Sequence, residues 1–404
     1  MEKEARLGGA DFMRAIACLM VLVHHLALRM DFHHVPGDLA MPFYLARYGN
    51  YGVSVFFVLS GFLLSRPFWR ALDRDLPPPS LKIYAMRRAA RILPGFWFAL
   101  TTGFLLSVTV YGFALDGELA GRYIAGFFLM SQWHWRSFFP VEGDGPLWSI
   151  PFETTCYVLL PIGFLLLFGR PMRRLGRLPG RLLWIGLIAI ALLGHWLIVT
   201  YIPLDSAGRG WIYGFQGGAK EWMPRYNPIG FFAIFAIGGL AAGIQTMLPE
   251  RRSPLFDIAA ILAMIVAAID IRMAVGGSGE GYAWLGIPYG FPVFPMAIAA
   301  ALCLLPQSVL LGQILDNRLS RYVATVSFGV YIWQDIVLVL MKTLFPWSFG
   351  TGSADVLGGW IVSSLAATAI IFAIGTISYF FLEYPVMRWA RAKEEATRRT
   401  TRVA

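Results

Sequence analysis

Apolar runs recur along the whole chain, and this repetition constrains the fold more than any other feature of the sequence. Each run spans about 18–22 residues, the length that a helix needs to cross a hydrocarbon core of about 30 Å. Only 14% of the 404 residues are charged, whereas a soluble protein carries roughly a quarter. We therefore predict an all-α integral membrane protein with about ten transmembrane helices. The predicted spans are 11–30, 50–66, 93–113, 148–169, 183–201, 228–247, 254–274, 288–306, 324–345 and 356–381.

Lys and Arg are concentrated in every second connection between these spans, and the other connections contain few of them. Connections on the cytoplasmic side of a membrane carry such an excess. We therefore predict cytoplasmic termini and a multi-pass protein of the plasma membrane, which is the inner membrane in a bacterium. The net charge of +10 is then explained by the basic connections that orient the chain in the lipid bilayer, and no nucleic-acid partner is predicted. The basic connections follow spans two, four, six and eight, and they include Arg66, Arg70, Arg74, Arg88, Arg91, Arg177, Arg181, Arg251, Arg252, Arg318 and Arg321.

Two segments depart from this pattern of membrane-crossing runs. Residues 122–135, "RYIAGFFLMSQWHW", are apolar but too short to cross the bilayer, which predicts a short re-entrant or interfacial helix. The tail from 391 to 404, "RAKEEATRRTTRVA", is rich in charge and predicts a disordered cytoplasmic segment. Residues 1–390 are interpreted as a single transmembrane domain, and no appended domain is expected after them.

The first span, "DFMRAIACLMVLVHHLALRM" (11–30), carries ionisable side chains that a purely structural span does not need. Such groups are costly within a membrane and are candidates for function. Eleven residues turn a helix through about 1100° and advance it by about 16.5 Å. Arg14 and His25 therefore share a face, with the arginine near the predicted cytoplasmic surface and the histidine deep in the bilayer. In the structural alternative, Arg14 extends to the interface and His25 hydrogen-bonds a neighbouring helix.

Six segments of the chain resemble, in order, the motifs of the acyltransferase-3 family of integral membrane O-acyltransferases. The resemblance covers nearly the whole chain and corresponds to the stand-alone form without an appended hydrolase-like domain. Two positions depart from the family pattern. Gln334 stands where histidine is often found, and Thr154 stands where a second acid is often found, so no role is transferred to either position. The segments are "DFMRAIACLMVLVHH" (11–25), "GVSVFFVLSGFLLSRPF" (52–68), "MRRAARILPGFW" (86–97), "PLWSIPFETTCYVLLP" (146–161), "SFGVYIWQDIVL" (327–338) and "YFFLEYPVMRW" (379–389).

This resemblance implies transfer of an acyl group, usually acetyl, from cytoplasmic acyl-CoA to a hydroxyl of a carbohydrate or glycan precursor, as in polysaccharide biosynthesis. Acyl-CoA is the expected donor substrate, and no permanently bound cofactor is expected. Coenzyme A carries phosphates at one end and the thioester at the end of a long arm, so its site needs cations at the cytoplasmic surface. Arg14, Arg88 and Arg91 are predicted to bind these phosphates, because the planar guanidinium donates two hydrogen bonds at once. Charge balance in a loop is the open alternative for Arg88 and Arg91.

His25 is predicted to act as the general base that takes the proton of the acceptor hydroxyl as this hydroxyl attacks the thioester. A neutral imidazole is suited to this because its pKa is near 6.5 in water and burial lowers it. A route through an acyl-histidine stays open, and His24 is the rival for the role. Glu153 is predicted to be a catalytic partner or to orient a histidine or the acceptor hydroxyl. A structural pair with a buried arginine is the alternative for Glu153.

Three further residues are assigned supporting roles. Ser60 and Gly61 let helices or the pantetheine arm approach closely, with simple packing as the favoured alternative. Asp11 either orients Arg14 three residues later or caps the first helix. The loop 205–228 offers aromatic faces to a sugar or belongs to an interfacial aromatic belt. Neither the histidines nor the three cysteines have metal-ligand spacing, so no metal is predicted.

Alternatives to this function stay open at the level of the sequence. The same chemistry can serve a cytoplasmic-side acceptor, such as a lipid-linked sugar or a hydroxylated natural product. A secondary transporter is the alternative from another class, although no pair of related halves is visible in the sequence. Without an appended domain, the chain either completes the transfer itself or passes the acyl group to a separate periplasmic or extracellular transferase partner.

Overall fold

A computed structural model describes residues 7–31, 35, 37–169, 177–201, 219, 222–275, 283–353 and 355–403, with side chains up to residue 396. The regular elements in these residues are helices, as the sequence predicts. In chain order they are α1 (Ala10–Ala27), α2 (Ala40–Arg47), α3 (Gly52–Asp73), α4 (Leu81–Thr109), α5 (Gly117–Phe127), α6 (Ser149–Leu167), α7 (Arg177–Tyr201), α8 (Pro228–Gln245), α9 (Pro254–Ala274), α10 (Val293–Leu304), α11 (Leu311–Ile314), α12 (Arg318–Leu344), α13 (Val356–Ser378) and α14 (Tyr384–Val403).

Within the described residues, nine helical segments are long and apolar enough to cross a membrane. They correspond in order to nine of the predicted spans and confirm an all-helical, multi-pass membrane fold. The tenth prediction, 288–306, matches the shorter apolar segment Val293–Gln307. This helix starts late because Tyr289 and Gly290 have φ of 63° and 64°, a left-handed backbone that a right-handed helix does not contain.

The two unusual segments of the sequence are both partly helical. The short apolar stretch 122–135 lies in α5 and in a 3₁₀ turn at Ser131–Trp133; its relation to a bilayer stays a prediction. At the other end of the chain, a π-helical turn, Tyr379–Glu383, joins α13 to α14. The helix α14 continues to Val403, so the backbone is helical within the tail for which composition predicts disorder.

The contacts divide the chain into two compact units, and each unit combines two stretches of sequence. Unit 1 contains Met1–Pro78 and Phe152–Thr325, and unit 2 contains Pro79–Pro151 and Val326–Ala404. The sequence analysis predicts a single domain up to residue 390, and no boundary of this kind is visible in the hydropathy. The reason is that both units consist of the same kind of apolar helix.

Unit 1 is built around the crossing of α3 and α8. A Cβ atom added to Gly61 would lie 1.9 Å from the carbonyl oxygen of Phe235, and one added to Gly238 would lie 1.9 Å from that of Val58. The two backbones therefore touch, which is typical of small residues at membrane helix crossings. Of the 18 most apolar consecutive residues in each helix, 78% are buried in α8 and 11% are buried in α9. Helix α8 is thus central, whereas α9 presents its side chains to the surroundings.

The basic connections of the sequence meet at one end of unit 1. They contribute to a single cavity of about 730 Å³, which we call the arginine cavity. This observation agrees with the predicted alternation of basic connections, since the arginines come from the regions after spans two, four, six and eight. Which side of the membrane this end faces stays a prediction. The arginines that line the cavity are Arg66, Arg70, Arg74, Arg177, Arg252 and Arg321.

Unit 2 consists of α4, α5, α13, α14 and most of α12. Helices α12 and α13 approach closely, because a Cβ atom at Gly329 would lie 2.6 Å from the carbonyl oxygen of Gly375. On α4, Gly95 lies against Phe328, 3.0 Å from where its Cβ would be. Helix α4 also carries Arg91, whose polar contact is described below.

Candidate active site

Helix α1 carries the pair of residues that the sequence singles out. The helix is unbroken from Ala10 to Ala27, so Arg14 and His25 are about 20° apart around the axis and about 16.5 Å apart along it. Both side chains are partly buried. The predicted shared face follows from this continuous helix, and the predicted chemical roles stay predictions.

The start of α1 is held by another segment of unit 1. The carboxylate of Asp316 accepts hydrogen bonds from the backbone N–H groups of Gly9 (2.9 Å) and Phe12 (2.8 Å). The N-cap position is Gly9, so the capping suggested for Asp11 is supplied by Asp316, while Asp11 lies in the first turn near the positive end of the helix dipole. Burial raises the pKa of Asp316 above its ordinary value, and the Asp11 carboxylate adds to this effect.

The two histidines at the other end of α1 have different surroundings. His24 donates through Nδ1 to the backbone carbonyl of Arg47, next to Gly49, whose added Cβ would lie 3.1 Å from His24 Cβ. His24 therefore joins α1 to the segment that precedes α3. The ring of His25 lies 5.0 Å from that of His24 and is partly buried on the face shared with Arg14. His24 thus has a structural contact, and the role of His25 as the base stays a prediction.

Glu153 is the centre of a polar cluster in unit 1. Its Oε1 atom accepts a hydrogen bond of 2.6 Å from the hydroxyl of Ser60 and a second one from the hydroxyl of Tyr157. Tyr157 lies one turn further along α6 and was not a predicted site residue, although the i, i+4 spacing signals such a contact. The predicted residues Ser60 and Glu153 are thus brought together. The neighbouring Gly61 contacts α8, which is the packing role left open for it.

The position of Ser60 along α3 separates this cluster from His25. Helices α1 and α3 run in opposite directions, and a Cβ at Gly52 would lie 2.5 Å from the carbonyl oxygen of Ala17. Ser60 lies about 12 Å further along α3 from this contact, near the level of the first turn of α1. His25 lies about 12 Å from the contact in the other direction. The cluster around Ser60 is therefore nearer to the level of Arg14 than to that of His25, and the predicted role of Glu153 stays a prediction.

The predicted donor-binding arginines on α4 belong to unit 2. Arg91 forms a salt bridge of 3.0 Å with Glu383, which is fully buried in the π-helical turn. Its guanidinium also lies over the rings of Phe328 (5.7 Å) and Tyr379 (5.9 Å). This pairing is the charge-balance alternative for Arg91. Arg88, one turn earlier, is partly buried, and its predicted phosphate contact is untested.

A second buried polar cluster, which the sequence analysis missed, lies in unit 2. The backbone N–H of Gly145 donates to the carboxylate of Asp335 at 3.0 Å, and the hydroxyls of Ser149 and Tyr331 are 2.7 Å apart. Asp144 is completely buried, and among the residues that the structure describes neither of its carboxylate oxygens has a hydrogen-bond partner. Burial raises the pKa of Asp144 well above its ordinary value, and the nearby Asp335 carboxylate raises it further.

Two further positions in unit 2 are Gln334, one of the two departures from the sequence motifs, and His134. Gln334 is buried, and its amide donates to the carbonyl of Tyr331 at 3.1 Å, so it fills a structural position. His134 stacks on Trp135 with ring centres 5.6 Å apart.

The aromatic loop 205–228 and the remaining histidines give little support for further sites. Trp211, Tyr213, His33 and His34 lie outside the described residues. Tyr226 stacks on Trp222 with ring centres 5.1 Å apart and is itself buried, so its ring packs inside unit 1. His195, which the sequence analysis did not consider, is buried between α7 and α8 and contacts the side chain of Asn227 at 2.7 Å.

The comparison with known families decides the classification. The sequence profile of the acyltransferase domain of the acyltransferase-3 family matches residues 7–382. The chain belongs to this family. Every residue of the candidate active site that the sequence predicted lies inside the match. The acyltransferase-3 resemblance of the six sequence motifs is thereby confirmed over nearly the whole chain.

Proteins of similar sequence include one that is named as a peptidoglycan O-acetyltransferase and one that is named as a nodulation protein. Peptidoglycan O-acetyltransferase OatA of Listeria monocytogenes is 23% identical over 94% of this chain and 55% of its own length. YrhL of Bacillus subtilis is 25% identical over 94% of this chain and 54% of its own length. Nodulation protein 10 of Rhizobium leguminosarum is 23% identical over 83% of this chain and 82% of its own length. The acyltransferase-3 chain thus spans about half the length of the first two relatives.

Proposed function

We propose that this protein is a membrane O-acyltransferase that moves an acyl group, acetyl in the simplest case, from acyl-CoA to a hydroxyl of a carbohydrate or glycan precursor. The observation that carries the proposal is the acyltransferase match over residues 7–382. Its support for a carbohydrate acceptor comes from the relative named as a peptidoglycan O-acetyltransferase. The match with nodulation protein 10 covers 83% of this chain and 82% of that relative. This coverage supports a function of the membrane-spanning helices themselves.

In the proposed reaction, the acceptor hydroxyl attacks the carbonyl carbon of the thioester. The C–S bond then breaks, and the ester of the acceptor and the thiol of coenzyme A are released. The imidazole of His25 takes the hydroxyl proton during the attack and returns it to the leaving thiolate. His25 suits this role because it is partly buried at the end of α1 and shares a face with Arg14.

The charged donor is proposed to enter from the end of α1 where Arg14 lies. Arg14 is proposed to bind phosphate oxygens through its guanidinium group, and Arg88 is a separate candidate in unit 2. The carboxylate of Glu383 already neutralises part of the charge of Arg91, so Arg91 is the weaker of the two α4 candidates. A phosphate would have to compete with this buried partner.

The cluster around Glu153 is proposed to contact the part of the donor that lies near the level of Arg14. Two hydroxyl groups, those of Ser60 and Tyr157, are fixed by the one carboxylate oxygen, and a fixed hydroxyl can accept hydrogen bonds from the amides of the pantetheine arm. In this arrangement Glu153 positions other groups and does not exchange protons with His25. Such preorganisation lowers the cost of ordering a flexible ligand.

The proposed reaction can be tested with purified full-length protein in lipid nanodiscs, labelled acetyl-CoA and glycan acceptors. We expect His25→Ala to reduce acetyl transfer by about 10²–10⁴-fold, because it removes the general base. The matched control is His24→Gln, which keeps a donor for the carbonyl of Arg47 and should retain most of the activity. Near-normal transfer by His25→Ala, with intact folding of both variants, would remove the base assignment.

A further inference from the structure

The arginine cavity of unit 1 is a feature that the proposed reaction has not used. Its volume of about 730 Å³ falls in the range of small-molecule sites. It is lined by the residues that precede α1, by the last turns of α3 and by the ends of α8 and α10. The cavity therefore lies beyond the start of α1, on the side of Ser60 that is remote from His25. Arg66 follows Ser60 on α3 by about 9 Å along the helix.

The cavity has an excess of positive charge. Six arginines line it, together with three carboxylates, those of Asp73, Glu250 and Asp316. Two of these carboxylates are already bound inside the protein. Asp73 forms two hydrogen bonds with Arg181, at 2.5 and 2.6 Å, and Asp316 accepts from the backbone at the start of α1. Glu250 is the third carboxylate, so the lining carries more guanidinium groups than carboxylates.

Neutral polar groups complete the lining and point to a polar ligand. The Nε atom of Arg66 donates to Gln245 Oε1 at 3.2 Å, which fixes the direction of this guanidinium. Gln307 is 6% exposed and its Oε1 atom has no hydrogen-bond partner. A buried amide without a partner for its oxygen is costly, and rotation of the amide group presents its two N–H donors instead. A ligand with strong acceptor oxygens satisfies such a donor together with the arginines.

We infer that the arginine cavity binds a ligand that carries two or more phosphate groups. Phosphate fits because guanidinium groups bind its oxygens bidentately. More than one phosphate fits because the arginines come from four separate connections and surround a volume larger than one such group needs. This chemistry has two sources in a membrane, the nucleotide end of a coenzyme A donor and the headgroup of an anionic phospholipid. With coenzyme A as the ligand, the inference extends the proposed function by adding a phosphate site beyond Arg14.

The chain provides a matched pair of variants for the test. Arg252 and Arg321 line the cavity, whereas Arg251 and Arg318 belong to the same connections and are not part of the lining. The double variant Arg252→Gln/Arg321→Gln and the control Arg251→Gln/Arg318→Gln remove the same charge from the same end of unit 1. A non-specific attraction to phosphate would weaken equally in both, because it depends on net charge. Binding to a site formed by the cavity residues would weaken only in the first double variant, which we call the lining variant.

The first arm of the experiment uses full-length protein in phosphatidylcholine nanodiscs and labelled coenzyme A, without any acceptor. We expect saturable binding that pyrophosphate displaces, and a loss of affinity of about tenfold or more in the lining variant. The control variant should stay within about twofold of the wild type. The second arm omits coenzyme A and adds phosphatidylglycerol to the nanodiscs. Here the expected result is a rise in the thermal unfolding midpoint that is lost only in the lining variant.

A positive result in the first arm identifies coenzyme A as the source of the phosphates, and a positive result only in the second arm identifies the lipid headgroup. Both results support the inference. Equal behaviour of the lining and control variants in both arms would overturn it. Neither arm requires turnover, so failure of the acetyl-transfer assay would leave this outcome unchanged and the two proposals fail independently.

Discussion

At the scale of single residues, the sequence motifs indicated some of the buried carboxylates and missed others. The motifs pointed to Ser60 and Glu153 individually, but not to their hydrogen bond, because the two residues are 93 positions apart. Only Tyr157, one turn from Glu153, could have been added from local spacing. Asp144 and Asp335 were not brought together by the sequence analysis, because their segments are about 190 positions apart and their proximity depends on the folding of unit 2.

The buried Asp144 leads to a prediction about stability and pH. Its folded-state pKa is raised, so the folded protein binds this proton more tightly than the unfolded chain does. By linkage, this group lowers the free energy of unfolding as pH rises from about 4, near the ordinary aspartate value, up to its raised folded-state pKa. Asp144→Asn removes the titration. We expect the variant to be more stable at neutral pH, on the order of 1–3 kcal/mol, and to lose this part of the pH dependence.

Thermal unfolding in detergent between pH 4 and pH 9 measures this effect. Asp116→Asn is a suitable control, because Asp116 is an exposed helix cap of the same unit and asparagine caps helices equally well. A lower unfolding midpoint for Asp144→Asn at neutral pH would show that the ionised carboxylate is stabilising.

At the scale of the helices, hydropathy predicted the spans well because each must be apolar over the full bilayer thickness. Their ends and contacts were less predictable. Helix α10 is shorter than its apolar run because of the left-handed backbone at Tyr289 and Gly290, and the start of α1 is capped by Asp316 from a distant part of the chain. Both features depend on tertiary structure, which hydropathy does not report.

The crossing of α3 and α8 leads to a prediction at this scale. Gly61→Ala should destabilise the protein by about 1–3 kcal/mol, the usual cost of an overpacked contact, because the new methyl group would overlap the carbonyl oxygen of Phe235. The control is Gly186→Ala on α7, where an added Cβ meets nothing within 4 Å. Alanine there should be neutral or slightly stabilising. Equal unfolding midpoints for the two variants would contradict the close crossing.

At the scale of the whole molecule, the alternation of basic connections is the property that sequence captured best for unit 1. Four connections that are distant in sequence contribute arginines to one cavity, as chains that cross a membrane back and forth require. The division into two units was not predicted, since hydropathy measures the transfer of each helix into lipid and not which helices pack together.

The predicted orientation can be tested with single cysteines in a chain whose three buried cysteines are replaced by alanine. Arg251→Cys reports on the basic end of unit 1, and Leu115→Cys reports on the exposed connection after α4. A membrane-impermeant thiol reagent added to spheroplasts should label Leu115→Cys at once and Arg251→Cys only after permeabilisation. The opposite labelling pattern would reverse the predicted orientation.

Helix α1 is unbroken, and Asp316 accepts hydrogen bonds from the backbone at its start. The helix therefore holds its side chains at fixed distances along its axis. Arg14 and His25 are separated by backbone geometry and not by adjustable side chains, so sliding or tilting the helix moves both together. Under the roles proposed for Arg14 and His25, a donor with a different distance between its anionic group and its thioester cannot be accommodated by shifting one residue alone. We therefore expect the main chain of α1 to select for the length of the donor's linker.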